Sequence, residues 1–181
     1  MSHPLIILEG PDGAGKSTFA ARIANRFITR DFQITHQGPP PAEVNRFLHY
    51  RDVLDRAMSR PTGMDRWAPG ELVYGPIYRG EDKLGWDGWC ELYRLTLTQN
   101  PMALFILCLP PYQDCRRAWA SGRKELLKNE VDLLKSYGAY RDFLKRARDC
   151  GQGWVVLDYT FPGDEERVLN IVKERVDALR I

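Results

Sequence analysis

Leu5-Ile6-Ile7-Leu8-Glu9-Gly10-Pro11-Asp12-Gly13-Ala14-Gly15-Lys16-Ser17-Thr18 decides the architecture. Four apolar residues in succession read as a strand covered on both faces, as in a parallel sheet. Residues 10–17 then match G-x-x-x-x-G-K-[ST] in full, and Phe19, Ile23 and Phe27 follow at helical spacing. Strand, glycine-rich turn and helix, in that order, are the context this motif requires. The glycines let backbone N–H groups curl around phosphate oxygens, and the helix start adds the positive end of its dipole. In such a loop Lys16 reaches the β- and γ-phosphates, while the Ser17 hydroxyl ligates Mg²⁺. The stretch therefore reads as a nucleoside triphosphate site, with Gly10, Asp12, Gly13, Ala14, Gly15, Lys16, Ser17 and Thr18 as its binding residues.

The remainder of the chain fits that start. Its 181 residues suit one domain, 1–181, with a full apolar core. Hydrophobic residues at 44% and charged residues at 28% exclude disordered and collagen-like classes. No window approaches the ~18 consecutive apolar residues of a membrane span. The first residues lack the basic start and cleavage site of a secretory signal, so a cytoplasmic protein is expected. A net charge of +2 neither demands nor forbids nucleic acid. Cys90, Cys108, Cys115 and Cys150 are dispersed, with no Cys-x-x-Cys pair, which agrees with a reducing compartment.

Short apolar runs alternate with longer helical patterns, the signature of βαβ units around a mostly parallel sheet. Strands are predicted at 5–8, 32–35, 62–65, 104–109 and 154–157, and helices at 16–30, 42–58, 86–99, 125–149 and 164–179. The run Pro39-Pro40-Pro41 fits neither a helix interior nor a central strand and predicts an extended loop after the second strand.

A phosphate-binding loop leaves the reaction open. The guanine-reading Asn-Lys-x-Asp of GTPases is absent from the sequence, and helicases use a larger chain, which leaves the small kinases. Residues 6–18 resemble the opening of thymidylate kinases, E-G-x-D-G-A-G-K-S-T. Asp65-Arg66-Trp67 is similar to that family's D-R-[YHW] motif. Gly70-Glu71-Leu72-Val73-Tyr74-Gly75-Pro76 looks like phage-encoded members of the group. Pro110-Pro111, followed by Arg116, Arg117, Arg123 and Lys124, is similar to the family's arginine-bearing lid.

The resemblance implies an α/β fold: a three-layer α/β/α P-loop kinase with a five-stranded parallel sheet of order 2-3-1-4-5 and a lid at about 111–124. It also implies ATP- and Mg²⁺-dependent transfer of the γ-phosphate to a pyrimidine deoxynucleotide, a dTMP-like monophosphate. On this reading Asp65 holds Mg²⁺ with Ser17 or orients the acceptor, and Arg66 binds acceptor or transferred phosphate. Asp12 faces the acceptor sugar, and Arg116, Arg117 or Arg123 closes over the triphosphate. Lys16, Asp65, Arg66 and Arg123 form the catalytic set. Family members are commonly homodimers. The family's T-R-E-P-G loop is replaced here by Thr35-His36-Gln37-Gly38-Pro39-Pro40-Pro41, which opens a second reading. Some phage relatives phosphorylate the hydroxymethyl group of 5-hydroxymethyluracil within DNA, and such a protein would act in the host cytoplasm. A regulatory module that holds ATP without transferring phosphate is the third.

Residues 66–89 interleave Trp67, Tyr74, Tyr78, Trp86 and Trp89 with Arg79, Lys83 and five glycines. Such a segment reads as a loop pinned to the core by large rings, with Tyr74, Tyr78 and Arg79 facing the acceptor and Trp86 and Trp89 buried. A monophosphate acceptor needs only cations to offset repulsion, whereas a hydroxyl acceptor needs a carboxylate to take its proton. Asp65, Glu9, Asp12 and Glu71 are the candidates, with Glu9 alternatively a structural anchor and Glu71 alternatively a surface residue.

Overall fold

The computed structural model describes residues 3–27, 32–122, 127 and 129–179. Five strands, β1 (Leu5–Glu9), β2 (Gln33–His36), β3 (Thr62–Asp65), β4 (Leu104–Cys108) and β5 (Val155–Leu157), form one parallel sheet of order β2-β3-β1-β4-β5. The helices are α1 (Lys16–Phe27), α2 (Arg46–Ala57), α3 (Ala68–Arg79), α4 (Gly85–Gln99), α5 (Tyr112–Ser121), α6 (Glu130–Asp149) and α7 (Asp164–Ala178).

The period-two alternation of a strand splits the apolar residues between two faces. Ile6 and Leu8 of β1 pack with Phe19 and Ile23 of α1 and Val168 and Val172 of α7. Leu5 and Ile7 face the other way, against Leu54, Trp89 and Tyr140 of α2, α4 and α6. The result is the three-layer arrangement. Trp89, with no exposed surface, centres the larger cluster. Its ring lies 5.9 Å from Trp67 and 6.0 Å from Trp154, and its Nε1 donates to Gln152 Oε1 at 3.0 Å. β1 sits between β3 and β4, so its carboxyl end opens at the point where strand order reverses, the place such sheets bind ligands.

All five predicted strands form, β3 as predicted and the others displaced by one residue at one end or both. Several helix boundaries differ for identifiable reasons. The second helix starts at Arg46 rather than 42, because Asn45 caps it, its Oδ1 accepting from Leu48 N at 3.0 Å. Asn129 similarly caps α6, accepting from Asp132 N at 2.9 Å, where the prediction began at 125. Residues 123–126 and 128 lie outside the described residues, and so do Arg123 and Lys124 of the expected lid.

The larger correction concerns 66–84. Rather than a pinned loop, it forms α3 and a short turn that leads into α4, the helix predicted at 86–99. Pro69, in the first turn of α3, lacks only an N–H that would have no intrahelical partner anyway. Pro76, inside the helix, removes one hydrogen bond, and α3 ends soon after at Gly80, whose φ of +73° suits a left-handed cap. α5 is likewise a regular helix that the sequence reading did not separate from the lid.

Candidate active site

The loop from Gly10 to Gly15 is held in a shape that only glycine fits at two points. Gly10 has φ of +140°, and a Cβ there would collide with the Cys108 carbonyl oxygen on β4. Gly13 has φ of +76°, and a Cβ there would strike the Cys115 carbonyl oxygen and lie 2.9 Å from Trp119 N on α5. The strand and helix behind the loop thus press its backbone outward, toward a cleft of about 550 Å³. Lys16, only 5% exposed, donates from Nζ to Gly10 O at 2.9 Å and Pro11 O at 2.8 Å. Burial lowers its pKa, Arg66 lowers it further, and Asp65 and Asp12 oppose the shift. Among the described residues no carboxylate pairs with this ammonium within 4 Å, and an anion entering the loop would supply that partner.

Asp65, at the end of β3, lies opposite Ser17. Ser17 Oγ donates to Asp65 Oδ2 at 2.6 Å, and His36 Nδ1 is 3.5 Å from the same oxygen. Asp65 Oδ1 is buried without a hydrogen-bond partner. Among the described residues no group of three His, Cys, Asp or Glu is gathered to hold a metal alone. One hydroxyl and one unpaired carboxylate oxygen fit Mg²⁺, which takes few ligands from protein and the rest from phosphates and water.

Arg66 has φ of +73°, and among the described residues no other non-glycine has positive φ. An outlier of this kind persists where the surroundings over-determine it. The turn sends the guanidinium back so that Nη2 donates to Asp12 Oδ1, while Cζ lies 4.7 Å from the Tyr74 ring centroid. Arg66 is 5% exposed and Asp12 8%, yet Asp12 Oδ2 has no partner. Beyond Arg66 opens a second, narrower slot of about 40 Å³, walled by residues 37–40 on one side and by Glu71, Tyr74, Tyr78 and Arg79 of α3 on the other. Tyr74 and Tyr78 stack with centroids 6.1 Å apart. Arg66 lines both cavities.

Of the predicted residues, Asp12, Gly13, Gly15, Lys16, Ser17 and Thr18 line the cleft with Asp65 and Arg66, and Tyr74, Tyr78 and Arg79 gather at the slot. Gly10 and Ala14 do not line the cleft: Gly10 backs onto Cys108 O and Ala14 is buried. Arg116 does not line the cleft; its Nε pairs with Glu130 Oε1 at 2.6 Å, half exposed, and Arg117 pairs with Asp114. Arg123 falls outside the described residues. Glu71 is no surface residue: it is 3% exposed, and its Oε1 accepts from Arg79 Nη2 and from Arg46 Nε at 3.3 Å. Glu9 is wholly buried, accepting from Trp67 N at 2.6 Å and Tyr140 hydroxyl at 2.8 Å, and it lines neither cavity.

Sequence reasoning missed Arg46, whose Nη1 also donates to Pro41 O at 2.5 Å and Val44 O at 3.1 Å, pinning the proline loop to α3. It also missed Tyr159, Trp119, Arg22 and His36 on the cleft. The signal available for His36 and Tyr159 was position at or just beyond the carboxyl end of a strand.

A phosphate-binding loop, a Ser17–Asp65 pair and a second cavity joined through one arginine define a P-loop nucleotide kinase. No family model matches the chain. It is, however, 30% identical over 197 residues to a thymidylate kinase of Dinoroseobacter shibae, covering 91% of this chain and 94% of that one. It is also 30% identical over 200 residues to a thymidylate kinase of Deinococcus radiodurans, covering 91% and 93%. The chain belongs to the thymidylate kinase family. Its fold is similar to that of the YorR protein from Bacillus subtilis, crystallised in complex with phosphorylated GDP, with a TM-score of 0.67, 19% identity and 97% of each chain covered. Among the described residues no helix is long and apolar enough to cross a membrane.

Proposed function

We propose that the protein moves the γ-phosphoryl group of ATP, bound with Mg²⁺ in the 550 Å³ cleft, to a pyrimidine deoxynucleoside monophosphate of the dTMP type seated in the slot beside α3. The observation that carries this reading is Arg66, which lines both cavities and so stands where a donor and an acceptor phosphate would meet. Phosphoryl transfer needs alignment and neutralisation of charge more than covalent chemistry. The backbone of Gly10 to Gly15 would hold the phosphates, with Lys16 against the β- and γ-groups. Ser17 and Asp65 would hold Mg²⁺, which would supply positive charge to offset that of the phosphates. Arg66 would offset the repulsion between two anions, its planar fork suited to paired phosphate oxygens.

Tyr74 and Tyr78 offer the acceptor base an aromatic wall, and the Pro39-Pro40 edge faces them across the slot. We assign residues 111–124 as the lid over ATP, with Arg116 and Arg123 as its cations. The Arg116–Glu130 pair is solvent-exposed, and exposed pairs of this kind contribute only about 0–1 kcal/mol, so a triphosphate can recruit the arginine away.

One observation favours a second reading, transfer to the hydroxymethyl group of 5-hydroxymethyluracil in DNA. Asp12 Oδ2 is buried and unpartnered beside Arg66, and on this reading it would accept the hydroxyl proton. Labelled ATP with Mg²⁺ and an acceptor panel separates the two. The panel holds dTMP, other deoxynucleoside monophosphates, thymidine and DNA containing 5-hydroxymethyluracil. Label in dTMP supports the first reading, label only in DNA the second, and no label above a Lys16→Ala control defeats both.

A further inference from the structure

We infer that Glu9 is the positioning residue for Arg66: its carboxyl group, strung between the Trp67 amide and the Tyr140 hydroxyl, fixes the left-handed turn that aims the guanidinium at the junction of the two cavities. The inference rests on the reading above that Arg66 acts on the phosphates.

Arg66 sits in a backbone region disfavoured for any residue bearing a Cβ, so something must hold it there. The two peptide groups flanking its Cα are each tied to β1. Arg66 N donates to Leu8 O at 3.0 Å, and Trp67 N donates to Glu9 Oε1 at 2.6 Å. The first bond fixes one dihedral of the turn and the second fixes the other, because the orientation of the 66–67 peptide sets ψ at Arg66. The second bond comes from a side chain, and that side chain could rotate. Tyr140 of α6 prevents it by donating to Oε2 at 2.8 Å. The first turn of α3 passes close by, with a Cβ at Gly70 falling 3.9 Å from Glu9 Oε2.

Glu9 cannot serve the reaction directly. It has no exposed surface, both oxygens are engaged, and it lines neither cavity. Among the described residues no cation pairs with it within 4 Å; Arg66 and Lys16 act on it only at longer range. Burial raises its pKa to about 7, opposed by the Trp67 amide, the Tyr140 hydroxyl, Arg66 and Lys16. Tyr74 of α3, Tyr50 of α2 and Cys108 of β4 are the other titratable groups facing it. A carboxyl group left in such a place, with no ion pair to repay its desolvation, is there for the geometry it imposes.

The test compares Glu9→Leu, Glu9→Gln and Tyr140→Phe, each alone and with Arg66→Ala. Three readouts are taken: kcat/KM for the acceptor, Kd for a non-hydrolysable ATP analogue, and hydrogen exchange of the Trp67 amide by NMR. Glu9→Leu should lower acceptor kcat/KM and accelerate Trp67 exchange by about tenfold or more, the scale of losing a hydrogen bond to a charged acceptor. The ATP-analogue Kd should stay within about twofold. Glu9→Gln, which keeps an acceptor oxygen, should recover most of the loss, and Tyr140→Phe should give a smaller loss in the same direction. If Glu9→Leu does not fold, Tyr140→Phe carries the same comparison. In the Arg66→Ala background the Glu9 substitutions should have no further effect on the acceptor. Equal losses with and without Arg66, or unchanged Trp67 exchange, would overturn the inference. Should Arg66→Ala leave transfer intact, the reading of the site fails. Trp67 exchange then still decides whether Glu9 holds the turn: acceleration in Glu9→Leu upholds that, and no change overturns it.

Discussion

Replacing Glu71 with leucine removes the carboxylate shared by Arg46 and Arg79. The two arginines respond differently. The Arg79 side chain is 23% exposed and can turn toward water, but the Arg46 side chain is 1% exposed and, among the described residues, pairs with no other carboxylate. Its Nη1 retains the Pro41 and Val44 carbonyls, while Nη2 is already without a partner. A buried cation stripped of its counterion costs about 3–5 kcal/mol, and the lost neighbour dominates that figure because the charge cannot relocate. For a chain of this length about 2–4 °C of Tm accompanies each kcal/mol, so the melting temperature should fall by about 6–20 °C. Urea denaturation and calorimetry on wild type, Glu71→Leu and the double variant Arg46→Met/Glu71→Leu supply the measurement. The double variant should recover most of the loss, since removing both charges also removes the desolvation penalty. A single-variant loss below about 1 kcal/mol would refute the account of Arg46 as a buried, Glu71-dependent cation.

Other outcomes follow from the same contacts. Glu9 has a folded-state pKa raised to about 7 from an ordinary 4.5, so its proton stabilises the fold below pH 4.5 and that contribution is lost as pH rises through 7. The stability difference between wild type and Glu9→Gln should therefore shift by about 3 kcal/mol against wild type across that window, measured by denaturation at each pH; a flat difference would contradict it. Gly13→Ala should cost about 1–3 kcal/mol and abolish ATP binding by titration calorimetry, because its Cβ meets Cys115 O at a positive φ. Ser17→Ala should raise the Mg²⁺ concentration needed for half-maximal transfer by about tenfold while leaving the melting temperature within about 2 °C, read from an Mg²⁺ titration and a thermal melt.

Much of this was legible beforehand, and the reasons differ by element. β1 and β4 are central parallel strands, buried on both faces, so Leu5-Ile6-Ile7-Leu8 and Leu104 to Cys108 stand out as apolar runs. β3, Thr62–Asp65, is equally buried but reads poorly, because Gly63 leaves room for the Phe32 ring where a Cβ would lie 2.8 Å from it. α3 was hidden by Pro69, Gly70, Gly75 and Pro76, each unfavourable in a helix taken alone. Once α3 is a helix, Glu71 and Tyr74 fall three residues apart on one face and turn inward, which a loop reading could not foresee. Tyr159 and Trp119 reach the cleft from the turn after β5 and from α5, remote in sequence from the loop they face. Only the sheet order brings them there. Arg46 reads as one more charge on an amphipathic helix, and its burial depends on a counterion, Glu71, 25 residues away.

On the proposed reading, Lys16 and Arg66 would serve one phosphoryl group passing between the two cavities. Single-turnover transfer from γ-labelled ATP to dTMP, with Mg²⁺, measures it directly in wild type, Lys16→Ala and Arg66→Ala. Label should appear in the acceptor with wild type and fall by about two orders of magnitude or more in each variant, as expected when a preorganised cation leaves the transferring group. Undiminished transfer in either variant would contradict the account.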